Sequence, residues 1–191
     1  RTMTRMQWDK LLSDRRYYGP GEEPKSDAEQ GKQDVRNSYL KDADRIIFSS
    51  AFRRLQGKAQ VFPFPNTDFI RTRLTHTLEA SQVGRTLGQA IGRELLLSSS
   101  AYKDRYPELF AKEKIDGQDV AKFNGSQFGN IGAAASLAHD IGNPPFGHAG
   151  EDAIRLWFRH QKRGCLVQPL TLEQSADLKH FEGNAQGFRT I

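Results

Sequence analysis

An all-α fold is what this sequence predicts, and three observations carry that expectation. Leu74, Leu78, Val83, Leu87, Ile91 and Leu95 recur near the helical period, with no proline between Asp68 and Ser100. A second run, Ile131-Gly-Ala-Ala-Ala-Ser-Leu-Ala-His139, consists of small residues that let a buried helix approach its neighbours closely. No stretch of any length alternates apolar and polar residues as a half-buried strand does.

The remaining elements follow in chain order. Residues 1–45 read as an N-terminal unit, with a short helix around Met6 to Leu12 and a polar Gly/Pro/Glu/Lys-rich loop from Tyr18 to Asp34, expected to be mobile. Residues 46–191 read as one helical core. Within it, Ile46 to Gln60 reads as helical, with Ile47, Ala51 and Leu55, or Phe48, Phe52 and Leu55, as its apolar stripe. Two prolines make Val61-Phe-Pro-Phe-Pro extended, and Asn66 or Thr67 is placed to cap the long helix that follows. Ser98 to Ser126 reads as a polar linker. After the Pro144-Pro145 bend, a helix from about His148 carries Ile154, Trp157 and Phe158. Leu172 to Ile191 reads as helical, interrupted at Gly183-Asn184.

Composition bounds the function. A 191-residue chain with 37% hydrophobic residues and twelve Phe has material for a core. Its formal charge of +5 favours polyanionic partners such as nucleotides or nucleic acid. The excess is concentrated: Arg36, Lys41, Arg45, Arg53, Arg54 and Lys58 face only Asp42 and Asp44, and Arg71 and Arg73 follow. A single cysteine, Cys165, excludes an internal disulfide framework and a Cys-rich zinc site. No window approaches the roughly 18 apolar residues of a membrane span. The expectation is a soluble, cytoplasmic protein with no membrane partner.

Chemistry concentrates in Ser136-Leu-Ala-His139-Asp140-Ile-Gly-Asn143-Pro-Pro-Phe-Gly-His148-Ala-Gly-Glu151. An adjacent His-Asp pair, with His76 upstream in Arg73-Leu-Thr-His76, makes a mixed nitrogen and oxygen donor set suited to a hard or borderline divalent cation. Successive helical residues point about 100° apart, so His139 and Asp140 reach one ion only at a helix end facing a cavity. The Gly142-Asn-Pro-Pro break supplies that end. The alternative is a buried His bonded to its own neighbourhood with Asp as a turn residue, and a lone His76 is by itself an ordinary surface or core residue. His148 and Glu151, three apart, share a helix face; a carboxylate on one imidazole nitrogen leaves the other as acid or base. Without context they read first as a helix-start pair with Glu in the first turn. Arg73, one turn before His76, suits a phosphate that the same cation polarises. These residues read as part of a metal-dependent phosphohydrolase.

Four blocks stand in order: Asp44-Arg-Ile-Ile-Phe-Ser-Ser-Ala-Phe-Arg-Arg-Leu-Gln-Gly-Lys-Ala-Gln60-Val61, Arg71-Thr-Arg73-Leu-Thr-His76, Ala138-His139-Asp140-Ile-Gly-Asn-Pro-Pro-Phe-Gly-His148-Ala-Gly-Glu151, and Phe181-Glu-Gly-Asn184-Ala-Gln186. Together they resemble the deoxyguanosine triphosphate triphosphohydrolases of the HD phosphohydrolase superfamily, from about residue 33 onward. The resemblance implies an all-α HD-domain fold and an oligomer, hexameric in much of the family. It implies hydrolysis of a deoxynucleoside triphosphate, dGTP first, to the nucleoside and inorganic triphosphate.

Residue by residue it implies His76, His139 and Asp140 as metal ligands, with His148 and Glu151 as the catalytic pair. Arg73 becomes a phosphate contact, and Gln60 with Val61 contact sugar or base. The divalent cation is Mg²⁺ or Mn²⁺ ahead of Fe²⁺ or Zn²⁺. The family's fourth ligand, a downstream Asp, is expected beyond residue 191, since Asp177 has the wrong setting; the chain is expected to be one piece of a larger all-α protein. Single-stranded DNA stands as an effector. Competing readings are an HD phosphohydrolase acting on another nucleotide or phosphoester, and a non-catalytic nucleic-acid-binding or regulatory module using the Arg36 to Arg73 region.

Overall fold

A computed structural model describes residues 7–17, 19, 21–26, 34, 36–60, 71–97, 100–115, 118–121, 123–160 and 170–191. The expected extended segment at Val61, the caps at Asn66 and Thr67 and most of the polar loop lie outside these residues. The fold is all-α, in order α1 (Trp8–Leu11), α2 (Ser38–Phe48), α3 (Ser50–Arg53), a 3₁₀ turn at Arg54–Gly57, then α4 (Arg73–Leu97) and α5 (Ser100–Arg105). A 3₁₀ turn at Pro107–Phe110 leads to a two-stranded hairpin, β1 (Lys112–Ile115) and β2 (Gln118–Ala121), before α6 (Gly125–Ala138), α7 (Gly147–His160), α8 (Leu172–Lys179) and α9 (Gly183–Thr190). Among the described residues no helix is long and apolar enough to cross a membrane.

Contacts divide the chain into two units, residues 1–44 with 83–134, and residues 45–82 with 135–191. The first is built around Leu12, Leu109, Phe123 and Phe128, flanked by Trp8, Leu95, Leu96 and Tyr106. Trp8 meets Tyr106 and Phe128 edge-on, at centroid distances of 6.3 and 6.1 Å. Asn37 accepts the Leu40 amide at 2.9 Å and starts α2. The Tyr39 hydroxyl on that helix donates to the Leu12 carbonyl, and Arg16 donates through Nε to Asp42 at 3.0 Å.

Leu95 packs against the core of the first unit, but the middle of the apolar stripe of α4 is not covered. Val83, Leu87 and Ile91 are each more than half exposed. The close contacts come from glycines instead. A methyl on Gly88 would stand 2.4 Å from the Phe128 carbonyl oxygen, and one on Gly132 would stand 2.3 Å from the Gly84 carbonyl oxygen. Backbones that approach this closely exclude side chains, so spacing of small residues outweighed hydrophobic periodicity here.

The second unit holds most of the sequence blocks. The expected continuous helix from Ile46 to Gln60 is broken at Ser49, whose hydroxyl donates to the Ile46 carbonyl at 2.7 Å and accepts the Phe52 amide at 3.1 Å. Such local side-chain bonds compete with the helix ladder. Phe52 and Leu55 are buried, while Phe48 is not. A bridge between Ala59 and Thr72 and the Arg73 amide bond to the Lys58 carbonyl (2.9 Å) deliver the chain to the first turn of α4. Thr171 and Gln174 form a capping box on α8. The break before α9 falls at His180–Glu182; Gly183 is already helical, with Glu182 accepting the Ala185 amide at 2.7 Å.

Where a polar linker was expected between Ser98 and Ser126, the fold places α5 and the hairpin. Lys112↔Ala121 through Ile115↔Gln118 set its antiparallel register.

Candidate metal centre and acid–base pair

The site lies within the second unit and begins with the end of α6. The helix closes at Ala138, and the chain turns through Ile141 N–H to Ala138 O (3.2 Å) and Asn143 N–H to Asp140 O (3.2 Å). His139 and Asp140 therefore leave a helix terminus rather than a helix face, which frees both side chains to converge. His76 comes from the first turn of α4. One donor atom from each of His76, His139 and Asp140 lies within 4.8 Å of the others. The two imidazoles stand edge to face, with centroids 5.3 Å apart.

Three local contacts hold these groups in place. His139 Nδ1 lies 2.7 Å from the Ser136 carbonyl oxygen, so that nitrogen carries the proton and Nε2 is left as a lone-pair donor. Asn143 Nδ2 donates to Asp140 Oδ1 at 2.6 Å. Asp140 Oδ2 is buried, 3.0 Å from Arg73 Nη1 across an ion pair, yet no hydrogen bond of sound geometry reaches it. Asp140 Oδ1 lies 3.5 Å from His139 Nε2, so a buried carboxylate beside two imidazoles makes a donor set that a divalent cation fits.

The second pair stands on α7. His148 Nδ1 lies 3.2 Å from Glu151 Oε2, with the imidazole almost fully exposed and the carboxylate buried. Glu151 Oε1 accepts the Gly183 amide at 2.9 Å, and Arg155 lies 3.6 Å from Oε2. The carboxylate is thus fixed from α9 and from its own helix. The turn that presents this pair is unusual: Phe146 has φ +66° and Gly147 φ +56°. Left-handed backbone is strained for Phe and ordinary for Gly. A side chain on Gly147 would approach Arg73 Nη2 to 3.1 Å, so the turn packs on the same guanidinium that faces Asp140.

Of the residues singled out from sequence, His76, His139, Asp140 and Arg73 lie together, and His148 and Glu151 pair with each other. Gln60 is half-buried at the end of a described stretch, and Val61 lies outside the described residues. Asp177 pairs with Arg189 at 2.7 Å on the surface and is not part of the donor group. Sequence reasoning missed Asn143, Lys58 and Gly183. Lys58 Nζ donates to the Asn143 carbonyl at 2.7 Å, and burial followed by the neighbouring Arg73 charge pushes its pKa below the usual lysine value. Only their membership of the motif blocks could have drawn attention to them.

No protein-family model matches the chain. Curated relatives do. It is 45% identical over 97% of its length to a deoxyguanosinetriphosphate triphosphohydrolase-like protein of Synechocystis sp., and 46% identical, again over 97%, to one of Pseudomonas aeruginosa. A deoxyguanosinetriphosphate triphosphohydrolase of Salmonella typhimurium is 37% identical over 84% of the chain. The chain spans 37%, 36% and 34% of those three relatives' own lengths.

Proposed function

The chain belongs to the deoxyguanosinetriphosphate triphosphohydrolase family, and from that premise we propose that the protein hydrolyses deoxynucleoside triphosphates, dGTP first among them, to the deoxynucleoside and inorganic triphosphate. The observation that carries this reading is the convergence of His76, His139 and Asp140 within 4.8 Å, with Arg73 against the same carboxylate. His76, His139 and Asp140 would hold a divalent cation, Mg²⁺ or Mn²⁺ ahead of Fe²⁺ or Zn²⁺. When bound, it supplies Lewis acidity toward a phosphoryl oxygen and toward water.

The chain's own residues divide the remaining work. Arg73 offsets charge building on the transferring phosphoryl group. Glu151 fixes one nitrogen of His148, leaving Nε2 to protonate the departing 5′ oxygen or to take the proton of the attacking water at the α-phosphorus. Gln60, and Val61 after it, would contact sugar or base. Removing a polar substrate contact such as Gln60→Ala should cost about 1–3 kcal/mol in kcat/KM. Unchanged kinetics on deoxy- and ribonucleotides would take Gln60 out of the pocket.

Oligomerisation and a single-stranded DNA effector belong to the same reading. The exposed Val83, Leu87 and Ile91 support an associating apolar surface, and exposed Arg53 and Arg54 support an electrostatic one. Light scattering and salt-dependent DNA binding test them. The deciding experiment incubates the intact protein with each of the four dNTPs and identifies the inorganic product, with metal content measured alongside. Triphosphate release supports the proposal; pyrophosphate or orthophosphate alone would replace it with another phosphohydrolase.

A further inference from the structure

Asp140 and Glu151 belong to different functional groups, one to the cation donors and one to the acid–base pair, yet both are held from a single place. Asn143 Nδ2 donates to Asp140 Oδ1 at 2.6 Å, and Lys58 Nζ fixes the Asn143 backbone through its carbonyl at 2.7 Å. The other end of the Asn143 amide faces Gly183. A Cβ on Gly183 would fall 2.1 Å from Asn143 Oδ1 and 2.8 Å from Glu151 Oε1, while the Gly183 amide itself donates to Glu151 Oε1 at 2.9 Å. The first residue of α9 is thus seated between the partner of one carboxylate and the other carboxylate.

We propose that Asn143 and Gly183 form a positioning joint that sets Asp140 for the cation and Glu151 for His148 together, so that the two halves of the site cannot be displaced independently. The proposal deepens the metal-dependent reading and rests on it. The physical basis is that a ligating carboxylate has several rotamers, and a hydrogen bond to one oxygen fixes the rotamer that faces the ion; here it falls on Oδ1, the oxygen 3.5 Å from His139 Nε2, while Oδ2 faces Arg73. Asn143 supplies that bond. Gly183 keeps the amide pressed into place because it has no side chain to push it away, and its own N–H holds Glu151 by the same contact.

The test uses Mn²⁺ as the probe, titrated calorimetrically into the intact protein, with helical content checked by circular dichroism. Asn143→Ala should weaken Mn²⁺ binding by about 10–100-fold, the usual range for a group that orients a metal ligand. Gly183→Ala should weaken it similarly and also shift the pH profile of kcat, since Glu151 moves with it. Gly187→Ala is the control on the same helix: its added Cβ meets nothing closer than 3.5 Å, and binding should be unchanged. The double variant Asn143→Ala/Gly183→Ala should bind Mn²⁺ no worse than Asn143→Ala, because the first substitution removes the atom on the Asp140 side that the second would strike and leaves only the contact with Glu151 Oε1. Should Gly183→Ala fail to fold, Asn143→Ala and the double variant still decide the matter. Wild-type affinity in Asn143→Ala, or independent multiplying losses in the double variant, would overturn the joint alone. Absence of Mn²⁺ binding by the unsubstituted protein would overturn the metal reading and the joint with it.

Discussion

Arg73 Nη1 lies 3.0 Å from Asp140 Oδ2, and both side chains are about nine-tenths buried. A guanidinium and a cation would share this carboxylate, so its two partners stabilise it in turn.

That relationship predicts a stability effect that metal reverses in part. Arg73→Ala strands a buried carboxylate and should cost about 3–5 kcal/mol in the metal-free protein. Added Mn²⁺ should restore more stability to this variant than to the unsubstituted protein. Denaturant midpoints with and without Mn²⁺ check it. Equal losses in both conditions would mean that no cation approaches Asp140.

His139→Ala and Asp140→Ala should both remove bound metal and activity, but their effects on the fold should differ. The His139 side chain is 39% exposed, and its loss removes one hydrogen bond to the Ser136 carbonyl, worth about 0.5–1.5 kcal/mol. Asp140→Ala leaves Arg73 buried and unpaired and should cost several times more, about 3–5 kcal/mol. Metal analysis and urea titration of the two variants separate these outcomes; full metal occupancy in both would sink the assignment.

His148 and Glu151 should be unequal in the same way. His148→Ala should lower kcat by roughly 10²–10⁴-fold with metal retained and stability unchanged, because its side chain is 97% exposed. Glu151→Ala also deprives the Gly183 amide of its acceptor and should lose about 1–3 kcal/mol of stability in addition to activity. The double variant should turn over little more slowly than His148→Ala, as expected when a carboxylate acts through an imidazole. Loss of metal in His148→Ala would make it a ligand instead.

Gly88→Ala should be destabilising by about 1–3 kcal/mol or more, the cost of forcing an extra carbon into a packed contact. Alanine in a helix interior ordinarily stabilises relative to glycine by roughly 0.5–1 kcal/mol, so the sign is diagnostic. The added carbon would sit 2.4 Å from the Phe128 carbonyl oxygen, a backbone atom that cannot swing aside. A raised melting temperature would refute this packing.

Alkaline stability should report on Tyr39. Burial raises its phenol to about 12 from 10.0. Below pH 10 the group is neutral folded and unfolded, and its contribution is fully present. Between about pH 10 and 12 the unfolded chain ionises first, so stability falls as pH rises and the contribution is gone above about 12. Tyr39→Phe should flatten that part of the pH dependence, and the difference between the two proteins in denaturant titrations isolates it from lysine ionisation.

The sequence by itself determined the helical class, the long helix α4, and the residues able to bind a cation or move a proton. Those features are local: a 3.6-residue period, a Pro-Pro break after a His-Asp pair, and His148 three residues from Glu151 all act within a few turns of chain. Tertiary structure decided which face of α4 is covered, because the glycine contacts with Phe128 and Gly129 depend on another helix and outweigh the Val83, Leu87 and Ile91 stripe. It also decided where the long stretch from Ile46 breaks, through one serine hydroxyl whose competing bonds periodicity does not register. Asn143, Lys58 and Gly183 became visible only in space. Lys58 stands 85 residues from the carbonyl it holds, and Gly183 stands 32 residues from the carboxylate it meets. Hydrogen-bond geometry between distant residues leaves no period in a sequence, whereas the chemistry of the groups it orients is written in their side chains.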